Sequence, residues 1–365
     1  MHKRLKIWSA EVLSRSLTEQ NMDQILSELH SWCLQQLSLS SADAANALEV
    51  VSGDASFRRY YRLPLTAGGS VIAVHAPPEK EDNLAFATVQ ELLHRHGARV
   101  PKLLAWDEPR GFLLQEDFGD QLLCPMLVNS AAADHYYRQA FRTLLAMQAI
   151  PVEEHSLPHY DSGRLHTEME LLPEWFVQGL LDYTLSADER TMLNEVFEQL
   201  SQRALQQTQV VVHRDFHSRN LMVLADERLG MIDFQDAVLG PISYDLVSLV
   251  RDCYISWAPE QVDDWIGIYR QMAIRAGVLA NVSEADFLQD VDWMGVQRHI
   301  KVLGIFARLH LRDGKSGYLG DLPLVIAYTL SVASQYPEFE DFCAWFVEKL
   351  MPRIVKQPWY KDVEL

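Results

Sequence analysis

Residues Val210–Asp236 read VVVHRDFHSRNLMVLADERLGMIDFQD. Val210, Val211 and Val212 are β-branched and apolar, which fits a buried strand. Polar residues crowd into His213–Asn220, and Leu221–Leu224 is apolar again. Asp226–Arg228 has the chemistry of a turn, and Met231–Phe234 returns to the core pattern. The stretch predicts strand, tight loop, strand, turn, strand. It leaves Asp215 and Asp233 at strand ends with Asn220 between them.

That spacing suits phosphoryl transfer. The reaction needs a carboxylate to take the acceptor hydroxyl's proton and oxygen ligands to hold Mg²⁺ on the phosphates. A carboxylate and an amide supply hard oxygens while the metal keeps several waters. His213-Arg214-Asp215, then Asn220, then Asp233 repeat the order of a kinase catalytic loop and its metal-binding Asp. A lone HRD would support nothing beyond two hairpins with solvated turn residues. The three groups together point to a kinase-type site, with Asp215 as base and Asn220 and Asp233 as Mg²⁺ ligands.

Composition bounds the remaining possibilities. At 365 residues the chain is long enough for two domains with cores of their own. A net charge of −18 argues against a protein that coats nucleic acid or an anionic membrane. Cys33, Cys124, Cys253 and Cys343 are far apart and form no CxxC pair, so free thiols in a reducing compartment are expected. The basic start (His2, Lys3, Arg4, Lys6) is not followed by an uninterrupted apolar run, since Glu11 and Arg15 intervene. A cytoplasmic location is expected.

Outward from the central stretch, the chain changes character near residue 118. Before it, residues 1–20 are weakly patterned, and Asn21 with Gln24 is a candidate helix cap. Ile25, Leu26, Leu29, Trp32 and Cys33 recur at helical spacing, and Ser38–Ala47 reads as a connection. Strands are expected at Leu48–Val51, Phe57–Leu65, Val71–Val74, Leu103–Trp106 and Phe112–Glu116, with a helix over Leu84–His96. Ser52, Gly53, Asp54, Ala55 and Ser56 form a small-residue loop that either cradles phosphate or simply turns a hairpin. Arg58 and Arg59 follow it, placed to touch phosphate or to line a strand. After Asp120 helices dominate: Ala133–Ala149, Leu165–Leu181, Ala187–Leu205, Tyr244–Tyr254, Glu260–Ala276, Glu284–His310 and Leu322–Ser334. The economical architecture is α+β, with a small β-rich lobe over residues 1–118 and a large, mostly helical lobe over residues 119–365.

The order of motifs resembles the aminoglycoside-phosphotransferase-like kinases across nearly the whole chain: small-residue loop, strand, helix, Glu116-Asp117-Phe118-Gly119, HRDFHSRN, IDFQDA. Asp233-Phe234-Gln235 replaces a DFG motif, and no APE motif or long activation loop follows, which favours a small-molecule kinase. Within that family, Ala76–Asp82, His213–Met222 and Ile232–Tyr254 are most similar to the sugar 1-kinases that act on N-acetylmuramate and N-acetylglucosamine in bacterial cell-wall recycling. The resemblance implies a two-lobed protein-kinase-like fold and an ATP- and Mg²⁺-dependent transfer to the anomeric hydroxyl. It also implies a functional link to a sugar-1-phosphate uridylyltransferase, towards UDP-N-acetylmuramate.

The resemblance assigns further roles. Glu116 and Phe118 fall where adenine meets the backbone. His217 stands where protein kinases carry a Lys that faces the γ-phosphate. His75 stands where the third-strand Lys is expected, with Glu91 as the nearest candidate for its acidic partner. The phosphate cation is then shared between His75 and Lys80 or supplied by the Arg pair. Asp245 is expected to anchor the loop or cap a helix. Arg298, His299, Lys301, Arg308, His310, Arg312 and Lys315 form a basic run that a solvated helix face would explain. The sharper expectation is that Arg298 or Lys301 reaches the acceptor pocket beside Asp215. Arg219 is a further candidate for substrate contact or a surface ion pair. Two alternatives stay open: a kinase of another small alcohol, aminoglycoside or choline-like, and a non-catalytic nucleotide-binding module.

Overall fold

The structure, a computed structural model, describes residues 22–40, 47–53, 57–154 and 156–363. The arm over residues 1–20, the cap at Asn21 and the loop residues Asp54, Ala55 and Ser56 lie outside them. The chain divides into two compact units. One runs to Glu91 and resumes over Val100–Gly119, and the other takes Leu92–Arg99 and everything from Asp120. Leu92–Arg99 joins the larger unit through specific bonds. The Met231 N–H donates to the Arg99 carbonyl at 2.8 Å, and His96 Nε2 lies 3.1 Å from Glu154.

The first unit is a five-stranded sheet in the order β1-β2-β3-β5-β4. Its strands are β1 (Glu49–Gly53), β2 (Arg59–Pro64), β3 (Ser70–His75), β4 (Leu103–Asp107) and β5 (Phe112–Glu116). Every pairing is antiparallel, with a bulge in β1 between Val50 and Ser52. Helix α1 (residues 22–36) presents the expected stripe to one face. Leu29, Trp32 and Cys33 pack with Tyr61, Leu63, Val71, Ala73, Phe112 and Leu114. These sheet residues alternate along their strands, as period-two patterning requires. The chain then forms α2 (Asn83–Arg95) between β3 and β4. Gly111, at φ +63°, turns β4 into β5; a Cβ there would sit 2.0 Å from the Ala76 carbonyl oxygen, so only glycine fits.

The second unit is helical with two small two-stranded sheets, of which only β7–β8 is a hairpin. It contains α3 (Ser130–Gln148), α4 (Ser162–Met169), α5 (Ala187–Gln206), α6 (Ser243–Val250), α7 (Pro259–Arg275), α8 (Glu284–Leu311) and α9 (Leu322–Ala333). Two short helices, α10 (Glu340–Trp345) and α11 (Met351–Ile354), follow. Asn129, Ser186 and Ser283 cap α3, α5 and α8 by accepting a backbone N–H. β6 (Gln209–Val212) pairs with β9 (Val238–Pro241), and β7 (Leu221–Val223) with β8 (Leu229–Met231), both antiparallel.

Three expectations need correction. The helix expected over Leu165–Leu181 is interrupted: α4 ends at Met169, and a π-type turn over Leu172–Leu180 follows Leu171. Pro173 has no N–H to continue an α-helical ladder there. The helix expected to reach Tyr254 stops at Val250, because Arg251 leaves helical geometry at φ −122°, ψ 53°. Most consequentially, the basic run on α8 is not a solvated face. Arg298, His299 and Lys301 are buried, together with Asp292 and Gln297, and only the run from Arg308 onward reaches solvent. Helix α8 touches α4, α5, α6, α7, α9 and the π-type segment, so it has no outer side along its middle. Among the described residues no helix is long and apolar enough to cross a membrane, and all four cysteines are unpaired.

Close packing on α8 gives a direct test. A Cβ on Gly304 would lie 2.3 Å from the Leu171 carbonyl carbon, which is backbone and cannot swing away. Gly304→Ala is expected to cost about 2 kcal/mol despite alanine's better helix propensity, from the overpacking it forces. Urea unfolding would measure it; a midpoint equal to or above wild type would show that the contact relaxes freely.

Candidate active site

The loop between β6 and β7 is fixed at each turn by a named acceptor. The His213 N–H donates to Asp245 Oδ2 at 2.6 Å and the Arg214 N–H to Asp245 Oδ1 at 3.0 Å. Arg214 itself is held at φ +75°, the left-handed region that non-glycine residues enter at a cost. The Asp215 N–H points to His213 Nδ1 at 3.3 Å, and the His217 N–H donates to the Asp215 carbonyl at 3.0 Å. Ser218 gives both its N–H and its hydroxyl to Asp252 Oδ2, at 2.9 and 2.5 Å. Asp245 lies on α6 and Asp252 just beyond its end. One short helix therefore holds both halves of the loop.

Asn220 closes the loop. Its Nδ2 donates to the Asp215 carbonyl at 3.1 Å, which turns its Oδ1 the other way. Across the β7–β8 hairpin the Ile232 N–H donates to the Asn220 carbonyl at 3.1 Å, so Asp233 follows directly beside it. Asp233 sits at φ +66°, and its Oδ1 accepts Gln235 Nε2 at 2.7 Å. The structure thus links Asp215, Asn220 and Asp233 through one side-chain-to-backbone bond and one backbone bond. An amide oxygen and a carboxylate are hard donors of the kind Mg²⁺ takes, an ion that keeps several of its waters. Among the described residues no group of three or more His, Cys, Asp or Glu side chains is placed to hold a metal ion.

Two permanent cations stand near the Asp215 carboxyl. Burial alone would raise its pKa; Lys301, with Arg298, overrides that and holds it below the usual carboxylate range. Asp215 is therefore ionised at neutral pH, as a proton acceptor must be. Burial pushes His213 down to about 4 and also lowers His217, so both rings are neutral. His217 packs edge-on against Tyr254 with centroids 5.4 Å apart, and its Nδ1 is buried without a hydrogen-bond partner. Burial pushes Asp245 up to about 7, opposed by the two amides it accepts.

Lys301 and Arg298 enter the site from α8. Lys301 Nζ lies 3.1 Å from Glu168 and donates to Tyr244 Oη at 2.9 Å. Arg298 Nη1 lies 3.3 Å from the Arg214 carbonyl and 3.4 Å from Tyr244 Oη. Glu168 also pairs with the Arg214 guanidinium and accepts from the Tyr160 hydroxyl. Burial would raise the Glu168 pKa, but Lys301 and Arg214 keep it low. Sequence reasoning missed Glu168, Tyr160, Tyr244 and Asp252. A glutamate inside a helical segment carries no local sign that its partners come from three other elements. Arg219 is exposed and lies over the Tyr254 ring, 3.4 Å from its centroid.

The residues expected at the nucleotide lie in the first unit. Ser52 and Gly53 end β1. Arg58 is buried, 3.4 Å from Glu81 and stacked over Phe86, so its charge is committed locally. His75 is buried at the end of β3 against Phe112, and burial, with Arg59 nearby, lowers its pKa. A neutral imidazole does not replace the charge of a lysine. Lys80 lies over the Phe57 ring, and Glu91 is exposed on α2. Glu116 is half-buried at the end of β5 and Phe118 is buried. Between them Asp117 accepts from Arg62 Nε at 2.5 Å, from Ser70 at 2.6 Å and from the Gly119 N–H at 2.8 Å, which stiffens this segment.

The family model described as "Phosphotransferase enzyme family" matches residues 47–278. The N-acetylmuramate/N-acetylglucosamine kinase of Pseudomonas putida is 39% identical over 325 residues, covering 87% of this chain and 95% of that protein. The protein of the same name from Pseudomonas aeruginosa is 40% identical over 292 residues, covering 80% of this chain and 85% of that one. Among solved structures, choline kinase LicA from Streptococcus pneumoniae has a TM-score of 0.56 at 14% identity. It covers 83% of this chain and 99% of its own. That likeness is one of fold.

The neutral histidines behind the loop give a pH signature. His299, beside Arg298, is fully buried, stacked on Tyr328, and its pKa is pushed down to about 3 by burial. The unfolded chain, with a histidine pKa near 6.5, takes up this proton first. The His299 contribution is therefore complete above about pH 6.5 and drains as pH falls towards the folded value. The slope is about 1.4 kcal/mol per pH unit for one proton. His299→Asn is expected to be less stable than wild type at pH 7.5 but to lose stability less steeply between pH 6.5 and 4. Parallel stability curves for the two proteins would refute the assignment.

Proposed function

The chain belongs to the phosphotransferase enzyme family, and from that premise we propose that it is an ATP-dependent kinase of amino sugars. It transfers the γ-phosphoryl group to the anomeric hydroxyl of N-acetylmuramate and N-acetylglucosamine. The fold is the α+β, protein-kinase-like fold of such enzymes. The observation that carries the reading is the Asp215 loop. An ionised carboxylate is set among cations, with Asn220 and Asp233 adjoining it through the β7–β8 hairpin. The choice of sugar is supported by relatives that share about two residues in five with this chain over most of its length.

Each residue has a role in that reaction. Asp215 orients the acceptor hydroxyl and receives its proton as the oxygen attacks the γ-phosphorus and the bond to the β-phosphate oxygen breaks. The products are a sugar 1-phosphate and ADP. Asn220 Oδ1 and the Asp233 carboxylate would hold Mg²⁺, which when bound neutralises charge on the β- and γ-phosphates. His217 presents an uncharged ring on the same loop. In the first unit, the loop from Ser52 and the backbone at Glu116 and Phe118 supply nucleotide contacts. A sugar 1-phosphate is the substrate class of a uridylyltransferase, so such an enzyme acts next, in peptidoglycan recycling within the cytoplasm.

The alternatives fare worse on local charge and on the loop itself. A cationic acceptor such as choline or an aminoglycoside calls for carboxylates, whereas Arg214, Arg298 and Lys301 gather around Asp215 and Glu168. A non-catalytic module would have no use for three intact chemistries around one hairpin.

The decisive experiment is a substrate panel with γ-labelled ATP, followed by NMR of the product to locate the phosphate. Phosphorylation of an aminoglycoside but of neither sugar would replace the amino-sugar reading. Two variants test the roles. Asp215→Asn is near-isosteric, so it is expected to fold and bind nucleotide but to lose turnover by about 10²–10⁴-fold. Activity within a few-fold of wild type would remove Asp215 as base. Asp233→Ala is expected to abolish Mg²⁺-dependent turnover and Asn220→Ala to weaken it; an unchanged response to Mg²⁺ in the Asp233 variant would place the metal elsewhere.

A further inference from the structure

Two buried cations on α8 stand beside Asp215, and their surroundings differ. Lys301, 6% exposed, has Glu168 at 3.1 Å and Tyr244 Oη at 2.9 Å. Arg298, only 3% exposed, has no carboxylate within ion-pairing distance among the described residues. Its Nη1 makes two long contacts to neutral oxygens, at 3.3 and 3.4 Å. Its Nε is sealed from solvent without an acceptor, and its Nη2 has no acceptor among the described residues. The Nε and Nη2 hydrogens together form one edge of the planar guanidinium. That edge pairs with a carboxylate through two parallel hydrogen bonds.

An ion stripped of water and left without a counter-charge is among the costliest arrangements in a protein interior. The surrounding charges do not remove the cost. Arg214, Arg298 and Lys301 are positive; Glu168 and Asp215 are held ionised beside them. Burial raises Asp245 to about 7, and both of its oxygens are occupied by the two loop amides. No carboxylate of the cluster therefore pairs with the Arg298 fork among the described residues. Arg298 stands near Asp215 with Tyr244 of α6 against it, all within the second unit.

We infer that the Nε/Nη2 edge of Arg298 receives the acceptor's carboxylate, the lactyl group of N-acetylmuramate. This inference rests on the amino-sugar reading above. It makes Arg298 the residue that distinguishes the two sugars, because N-acetylglucosamine has no carboxylate to offer. Arg298 and Lys301 share Tyr244, each 5.5 Å from its ring centroid and each against its hydroxyl, and Lys301 is already paired with Glu168. The mid-helix location of Arg298 follows from this role, since a buried helix holds the fork rigid and a loop would not.

The test compares N-acetylmuramate, its methyl ester and N-acetylglucosamine at saturating ATP, with wild type and Arg298→Gln. In wild type the ester is expected to be a poorer substrate than the free acid by about 10–150-fold in kcat/KM, the range of a charge-assisted bond. In Arg298→Gln the acid-to-ester preference should disappear, and the ratio of kcat/KM for N-acetylmuramate over N-acetylglucosamine should drop by the same factor. Equal losses on both sugars, or a raised KM for ATP, would overturn the inference and assign Arg298 to the loop or the phosphates. If Arg298→Gln does not fold, the ester comparison in wild type decides alone, and an ester as good as the acid refutes it. Wild type inactive on both sugars would instead refute the amino-sugar reading.

Discussion

One carboxyl group, that of Asp245, receives the backbone amides of His213 and Arg214. The second unit's chemistry depends on that pair of bonds. They hold Arg214 in left-handed geometry and set the direction in which Asp215 leaves β6. Unpaired buried amides cost about 1–3 kcal/mol each, so the loop has no cheap alternative path once α6 is in place. Asp252 repeats the device for Ser218. The loop that carries Asp215 is positioned by main-chain amides held on two buried carboxylates, Asp245 and Asp252, and such fixed geometry suits a reaction in which orientation supplies much of the rate.

The second constraint is the burial of charge along α8. Soluble proteins rarely bury lysine or arginine without partners. Here Lys301 is paired with Glu168, and Arg251 with Asp292 at 2.6 Å, whereas Arg298 lacks such a partner among the described residues. Lys301 and Arg298 keep Asp215 ionised in surroundings that would otherwise raise its pKa. Glu168 tethers Arg214 and Lys301 at once, so a helix far from the loop in sequence sets the field around Asp215.

The order of elements was legible because local patterns agree with the fold. The expected strands over Phe57–Leu65, Val71–Val74 and Phe112–Glu116 became β2, β3 and β5, and the stripe from Ile25 to Cys33 became the packed face of α1. Asp245 could be recognised as an anchor from its place after Gly240-Pro241. The chain from Leu165 to Leu181 was not legible as two pieces, because apolar spacing hardly separates an α-helix from a π-type turn. The basic run from Arg298 looked like a solvated face because charge ordinarily reports exposure. That rule fails where a helix is enclosed on every side.

By itself the sequence determined the class of chemistry. Asp215, Asn220 and Asp233 carry the right atoms at a spacing that one short hairpin, β7–β8, and the loop before it bring together, and both are local structures. It also determined the α+β organisation, since helical and strand periodicities are written residue by residue. Only the tertiary structure decided which groups join Arg298 and Lys301 around Asp215. Glu168 and Tyr244 come from α4 and α6, and nothing in their local sequence records the meeting. Their proximity is set by helix packing, and so are their charge states, because burial and neighbouring charge are properties of the assembled core.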